Sequence, residues 1–213
     1  MDIISSLLPF PPINWWAQID DAETIIFDKG EHFEKMSYRN RYTISGANNV
    51  NQLSIPLVKG RNQRIPMAEV MIHNAERWQV QHWRTLVSVY KRSPYWEYYE
   101  QSLQSVFETP FEKLVDFNLA SFQWLATQLK LKTEVRISDT FVADPPAGSL
   151  DLRPMKPADL RDNTGTFPKY YQVFEDRIGF VPNLSILDLL FSEGPRTAIW
   201  LKGNATTINP PKA

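Results

Sequence analysis

The stretch over residues 35–58, KMSYRNRYTISGANNVNQLSIPLV, decides the fold. Over residues 35–45 it alternates, with Lys35, Ser37, Arg39, Arg41 and Thr43 on one face and Met36, Tyr38, Asn40, Tyr42 and Ile44 on the other, the period of a half-buried strand. GANNVN at 46–51 supplies turn residues that tolerate positive φ, and LSIPLV at 53–58 resumes as a strand, so the pair predicts a β-hairpin. Pro56 marks an edge or a bulge. Upstream, TIIFD at 24–28 is a short apolar run that ends in a carboxylate and predicts a buried strand. Downstream, AEVMIH at 68–73 predicts another.

Beyond residue 76 the period changes to that of helices. Over 76–91, Trp78, Trp83, Leu86, Val87, Val89 and Tyr90 share a broad arc opposite Gln81, Arg84, Thr85 and Ser88, which predicts an amphipathic helix. Ser93-Pro94 reads as an N-cap with proline at the first helical position, opening a helix to about residue 107. Thr109-Pro110-Phe111-Glu112 reads as a capping box for a third helix to about residue 130. A strand is expected around 134–138, a mobile surface loop over the aperiodic residues 142–166, and a short apolar helix capped by Ser185 and Asp188 and stopped at Gly194-Pro195. No period repeats and no linker divides the chain. The expectation is a single α+β domain over residues 1–213, with N-terminal strands and a hairpin packed against a mostly helical second half.

Composition narrows the functional classes. With 23 Lys+Arg against 24 Asp+Glu the chain lacks the overall basic field that sequence-independent nucleic-acid binding needs. Zero cysteines exclude disulfides, cysteine metal sites and a thiol nucleophile, and fit a cytoplasmic protein. No run approaches the roughly 18 apolar residues of a membrane span. The opening residues have no basic segment and are interrupted by Pro9, Pro11 and Pro12, unlike a secretory leader. No Gly-rich phosphate loop, dinucleotide fingerprint or nucleophile elbow occurs. His32 and His73 lack metal-ligand spacing, so no metal site is expected, and the sequence does not identify a cofactor.

Chemistry must therefore come from local clusters. Lys35, Arg39 and Arg41, on alternate strand positions, could share one phosphate or carboxylate, or else pair with Glu31, Glu34 or other acids. Asn40 and Asn118 sit among apolar neighbours, where an amide needs partners, either backbone or ligand. His82 lies within the apolar arc of its helix, where burial keeps an imidazole neutral and able to act as a base, or simply makes it a satisfied wall residue. Asp28 ends a buried strand, where ligands can reach.

Several segments together resemble the WbqC-like family: LLPFPPINWWAQI at 7–19, FEKMSYRNRYTISGANNVNQLSIPLV at 33–58, WQVQHWRTLVSVYKRSPYWEYYE at 78–100 and NLSILDLLFSEG at 183–194. The Lys, Ser, Asn and Arg arrangement of residues 35–41 carries the most specific part, and the spacing of His82, Tyr90, Ser93-Pro94 and Glu97 carries the next. The resemblance implies a role in bacterial surface-polysaccharide (O-antigen-like) metabolism, with transfer of glycine or a similar acyl group to a sugar. It directs attention to Lys35, Asn40, Arg41 and His82, with Asp28, Arg39, Tyr90 and Asn118 as companions. The resulting expectation has His82 and Asp28 catalytic and Lys35, Arg39, Asn40, Arg41, Arg84, Tyr90 and Asn118 binding a sugar-linked or nucleotide-linked anionic small molecule. The alternative is a non-catalytic protein that binds a glycan, nucleotide or protein partner through the same groups.

Overall fold

The first strand, β1 (Asp2–Ser5), leads through the proline-broken segment into helix α1 (Ile13–Ile19) and then β2 (Thr24–Asp28). This computed structural model describes residues 1–19, 21–59, 64–157 and 167–209. β1 and β2 pair in parallel, with Ile3 opposite Ile25 and Ile4 opposite Ile26, which is the pairing a strand–helix–strand crossover permits. Ile13, Trp15 and Ile19 of α1 are wholly buried, so this short helix is held by packing rather than by propensity.

The hairpin is present in shortened form. Tyr38–Asn40 is a 3-10 turn, and strand β3 begins only afterwards (Arg41–Ile44), pairing antiparallel with β4 (Asn51–Ser54) so that Tyr42 faces Leu53. The expected strand over residues 35–45 is thus corrected at its start. The Ser37 hydroxyl accepts from the Arg39 N–H at 3.3 Å and caps the turn, a local bond that competes with a strand ladder. The shared cationic face does not form: Lys35 is exposed whereas Arg39 and Arg41 are buried. β4 stops before Pro56, and residues 68–73 are a 3-10 turn (Met67–Glu69) followed by single bridges, Leu57 to Ile72 and Met71 to Lys113, instead of a strand.

Three helices follow: α2 (Trp78–Tyr90), α3 (Trp96–Glu108) and α4 (Leu114–Leu129). Their starts correct two expected caps. The Ser93 hydroxyl donates to the Tyr90 carbonyl at 2.6 Å and closes α2 rather than opening α3. Thr109 likewise closes α3, its hydroxyl donating to Ser105 O at 2.8 Å, while α4 begins after Lys113. Hydroxyls satisfy orphan carbonyls at a helix end as readily as orphan N–H groups at a helix start.

The later residues complete the sheet and the core. β5 (Glu134–Ser138) pairs in parallel with β2, and β6 (Leu150–Asp151) in parallel with β1, giving the order β5-β2-β1-β6. The segment expected as a loop therefore contributes a strand. Its residues 158–166 lie outside the described residues. Helix α5 (Glu175–Ile178) is one turn, α6 (Ile186–Glu193) is capped by Ser185 as expected, and α7 (Thr197–Ile208) covers α1. Asp188 does not cap α6; it is buried and bonded to two tyrosines. One continuous apolar cluster runs from Ile3 through Tyr42, Leu86, Phe117 and Leu189 to Leu201. The fold is α+β, a parallel N-terminal sheet and a hairpin packed on a mostly helical second half as one domain.

Candidate functional site

In chain order the sheet's strands stand third, second, first, fourth. In open parallel sheets with this order, ligands bind outside the carboxyl ends of the strands, where the order reverses. Here that point is the gap between the ends of β1 and β6. A linked set of ion pairs stands beside it. Asp28 ends β2, fully buried, with Oδ1 accepting from Glu31 N–H at 3.0 Å and Oδ2 from Val142 N–H at 3.1 Å and Arg153 Nη1 at 2.6 Å. Arg153, just past β6, also grips Asp151 through Nε at 3.0 Å and Nη2 at 2.6 Å, with its guanidinium carbon 5.2 Å from the centre of the Phe141 ring.

Arg39 reaches the same edge from the 3-10 turn. It holds Glu31 bidentately, Nη2 to Oε2 at 2.6 Å and Nε to Oε1 at 3.2 Å, and Nη2 also donates to the Arg153 carbonyl at 3.3 Å. Its remaining nitrogen, Nη1, makes one long contact, 3.4 Å to Glu34 Oε2. The Glu34 side chain is 40% exposed, and its other oxygen accepts from Lys156 Nζ at 2.6 Å. Burial pushes the Glu31 carboxyl pKa up, and the hydrogen bonds and charge of Arg39, with help from the Ser6 hydroxyl at the end of β1, offset only part of that rise. Burial works the same way on Asp151, but there the bonds and charge of Arg153 prevail and hold its pKa below the usual value.

Two buried asparagines stand at the 3-10 turn. Asn118 Nδ2 donates to Leu7 O at 2.8 Å and Arg39 O at 2.9 Å, and Asn40 Nδ2 donates to Ile55 O at 3.0 Å. Backbone partners thus take both amide groups, while both Oδ1 atoms stay without a hydrogen-bond partner among the described residues.

The other sequence candidates stand elsewhere. His82 Nδ1 lies 3.1 Å from the Tyr42 hydroxyl, its ring also bonds the Ser54 backbone, and Trp78 covers it edge-on at 5.2 Å between centroids. Burial drives its pKa down to about 4, against a small upward pull from Ser54. Tyr90 donates to Asp188 Oδ1 at 2.7 Å and Tyr170 donates to Oδ2 at 2.8 Å. Burial raises Asp188 to about 6, with these hydrogen bonds opposing it. Arg41 donates through Nη1 to Gln52 Oε1 at 3.1 Å across the hairpin. Lys35 is exposed in the turn before β3, and Arg84 is exposed on α2. The fold thus brings Asp28 and Arg39 to one edge, with Asn118 on the Arg39 carbonyl, and leaves Lys35, Asn40, Arg41, His82, Arg84 and Tyr90 elsewhere.

Glu31 stood in the sequence only as a pairing partner, and Arg153 and Asp151 were not singled out. The alternation SLDLR over 149–153 is too short a pattern to mark Asp151 and Arg153 in the sequence. Among the described residues no group of three or more His, Cys, Asp or Glu is arranged to hold a metal ion, and no helix is long and apolar enough to cross a membrane.

The family model described as WbqC-like protein family matches residues 8–151. The chain belongs to the WbqC-like protein family. No curated protein and no solved structure matches it. The WbqC-like match takes in Asp28, Glu31, Arg39, the hairpin and helices α2 to α4, and ends at Asp151, so Arg153, Tyr170 and Asp188 stand beyond it.

Proposed function

We propose that this WbqC-like chain is a transferase of bacterial surface-polysaccharide or sugar-nucleotide metabolism, acting in the cytoplasm, that moves glycine or a similar acyl group onto a sugar. Its anionic, sugar-linked or nucleotide-linked substrate lies against the carboxyl edge of the parallel sheet. The chief support is the meeting of Arg39, Arg153 and a buried, pKa-raised Glu31 at the reversal point of the strand order. In this reading the phosphate or carboxylate of the substrate takes the place of Glu34 between Arg39 Nη1 and Lys156 Nζ, where the existing contact to Arg39 is long. Exposed Lys35 on the approach adds to the local field.

The step then needs a base and a group that steadies charge. Glu31 accepts the proton of an acceptor hydroxyl or amine as that atom bonds to the acyl carbon of an activated donor. The bond to the leaving group breaks with its electron pair, and Arg39 offsets the charge that develops. Asp28 fixes the orientation of Arg153. His82, neutral and tied to Tyr42 and Ser54, positions the hairpin that follows Arg39.

Thermal-shift screening against nucleotides, nucleotide sugars and activated acyl compounds tests this. A true ligand at 100 times its dissociation constant adds about 2.7 kcal/mol to stability, and Arg39→Lys should abolish that shift. With the substrate found, Glu31→Gln should keep binding and lower turnover about 100-fold or more. The second reading, a non-catalytic binding protein, draws on the fact that Arg39 and Arg153 are already neutralised by acids. Turnover unchanged in Glu31→Gln removes the assigned base, and a ligand that binds but is never consumed favours the second reading.

A further inference from the structure

A cleft lies apart from the sheet edge, between the hairpin turn and the outer side of α2. It encloses about 450 Å3 and is lined by Asn48, Asn49, Asn51, Arg84, Ser88 and Phe174 among others. That volume falls within the range of small-ligand pockets. Its chemistry is unlike that of the ion-paired edge. Among the described residues the side chains of Asn48, Asn49, Arg84 and Ser88 make no hydrogen bond or ion pair, and no acid lines the cleft. Arg84 therefore presents a whole guanidinium fork with no carboxylate to neutralise it.

We infer that this cleft binds an acidic sugar, a hexuronate residue of a glycan, with Arg84 on its carboxylate. A guanidinium pairs bidentately with a planar carboxylate, which fixes orientation as well as charge. Asparagine amides carry both donors and acceptors, and so do sugar hydroxyls, so the amides of Asn48, Asn49 and Asn51 match a polyol on both counts. The half-buried Phe174 ring, which also carries the Arg177 guanidinium carbon 6.0 Å from its centre, supplies an apolar wall for the C–H face of a pyranose. A free phosphate would use Arg84 alone, leaving the amide oxygens and the ring without a counterpart. A nucleic-acid strand would ask for a row of cations, and the cleft has one. Asn48 and Asn49 are exposed in the hairpin turn and line the cleft, so their amides are open to a ligand.

The hexuronate cleft does not depend on the transferase reading, and its test separates the two. Methyl glucuronoside, methyl glucoside and acetate, titrated in turn into the full chain and followed by amide NMR shifts, isolate the whole ligand, the polyol alone and the carboxylate alone. Methyl glucuronoside should bind saturably with shifts centred on residues 47–51 and 84–89, about tenfold more tightly than either fragment. Arg84→Met should reduce the glucuronoside to the affinity of the glucoside, and Phe174→Ala should weaken both sugars. Arg84 is exposed on α2, so Arg84→Met should stay folded, and an unchanged melting temperature verifies that. Acetate binding as tightly as the glucuronoside, an Arg84→Met variant that still prefers the glucuronoside, or no saturation by any probe would each overturn the assignment.

Discussion

The guanidinium of Arg39 makes two good bonds to Glu31 and one poor bond to Glu34, and the two acids differ in what their loss does. Glu31 and Arg39 are both about 5% exposed or less as side chains, so Glu31→Ala leaves a buried charge without its partner and should destabilise by about 3–5 kcal/mol in urea denaturation. Glu34 is half exposed, and its removal should cost under about 1 kcal/mol. At the same scale, His82 and Asp188 carry opposite pH signatures. The His82 pKa falls from 6.5 to about 4 on folding, so its neutral form contributes stability present above pH 6.5 and lost as pH falls toward 4. The Asp188 pKa rises from 3.8 to about 6, so its contribution is present below pH 3.8 and lost as pH rises through 6. Each is on the order of 3 kcal/mol, and between pH 4 and 6 they oppose one another. Asp188→Asn should therefore steepen the rise of stability from pH 4 to 6.5, and His82→Gln should turn that rise into a fall. Urea midpoints across pH 4–7 read both, and parallel profiles for the two variants would contradict the assignment.

Elements differ in how plainly the sequence announces them. The hairpin was legible because β3 and β4 alternate on either side of a Gly-Asn turn, and α2 because its apolar arc faces a wet one. β1 and α1 were not, since nearly every residue of segment 3–19 is buried and a segment with no wet face has no period to read. β6, two residues long, gave too little pattern. Caps misled for a different reason, since Ser93 and Thr109 bond backward to the helix they end. At the site, Asp28 and Arg39 were legible as a strand-end acid and a local cation. Arg153 was not, because only the parallel pairing of β6 with β1 brings residue 153 to residue 28. Gly30 tests how tightly that edge closes. A Cβ there would lie 2.1 Å from the Phe141 backbone nitrogen, and backbone cannot swing aside as a side chain can. Gly30→Ala should cost about 1–3 kcal/mol in thermal or urea unfolding, and it should loosen the adjacent Val142 N–H bond to Asp28. An unchanged melting temperature would show that the segment at 140–142 is not packed as described.

At the scale of the whole molecule one apolar cluster joins the parallel sheet, the hairpin and the helices, so tryptophan fluorescence and far-UV circular dichroism should report a single coincident transition in urea. Two separated transitions would mean that the sheet and the helical half hold independent cores. The sheet's carboxyl edge combines four carboxylates, Asp28, Glu31, Glu34 and Asp151, with three cations, Arg39, Arg153 and Lys156. In the proposed reading an edge so nearly balanced takes up an anion by exchange, with Glu34 as the acid that leaves. Titration of inorganic phosphate into the wild type and Glu34→Gln, read by melting temperature, tests that claim most directly. The account predicts that Glu34→Gln binds phosphate about tenfold more tightly than the wild type, and that adding Arg39→Lys removes the gain. Equal affinity in the two proteins, or a gain that survives Arg39→Lys, would contradict it.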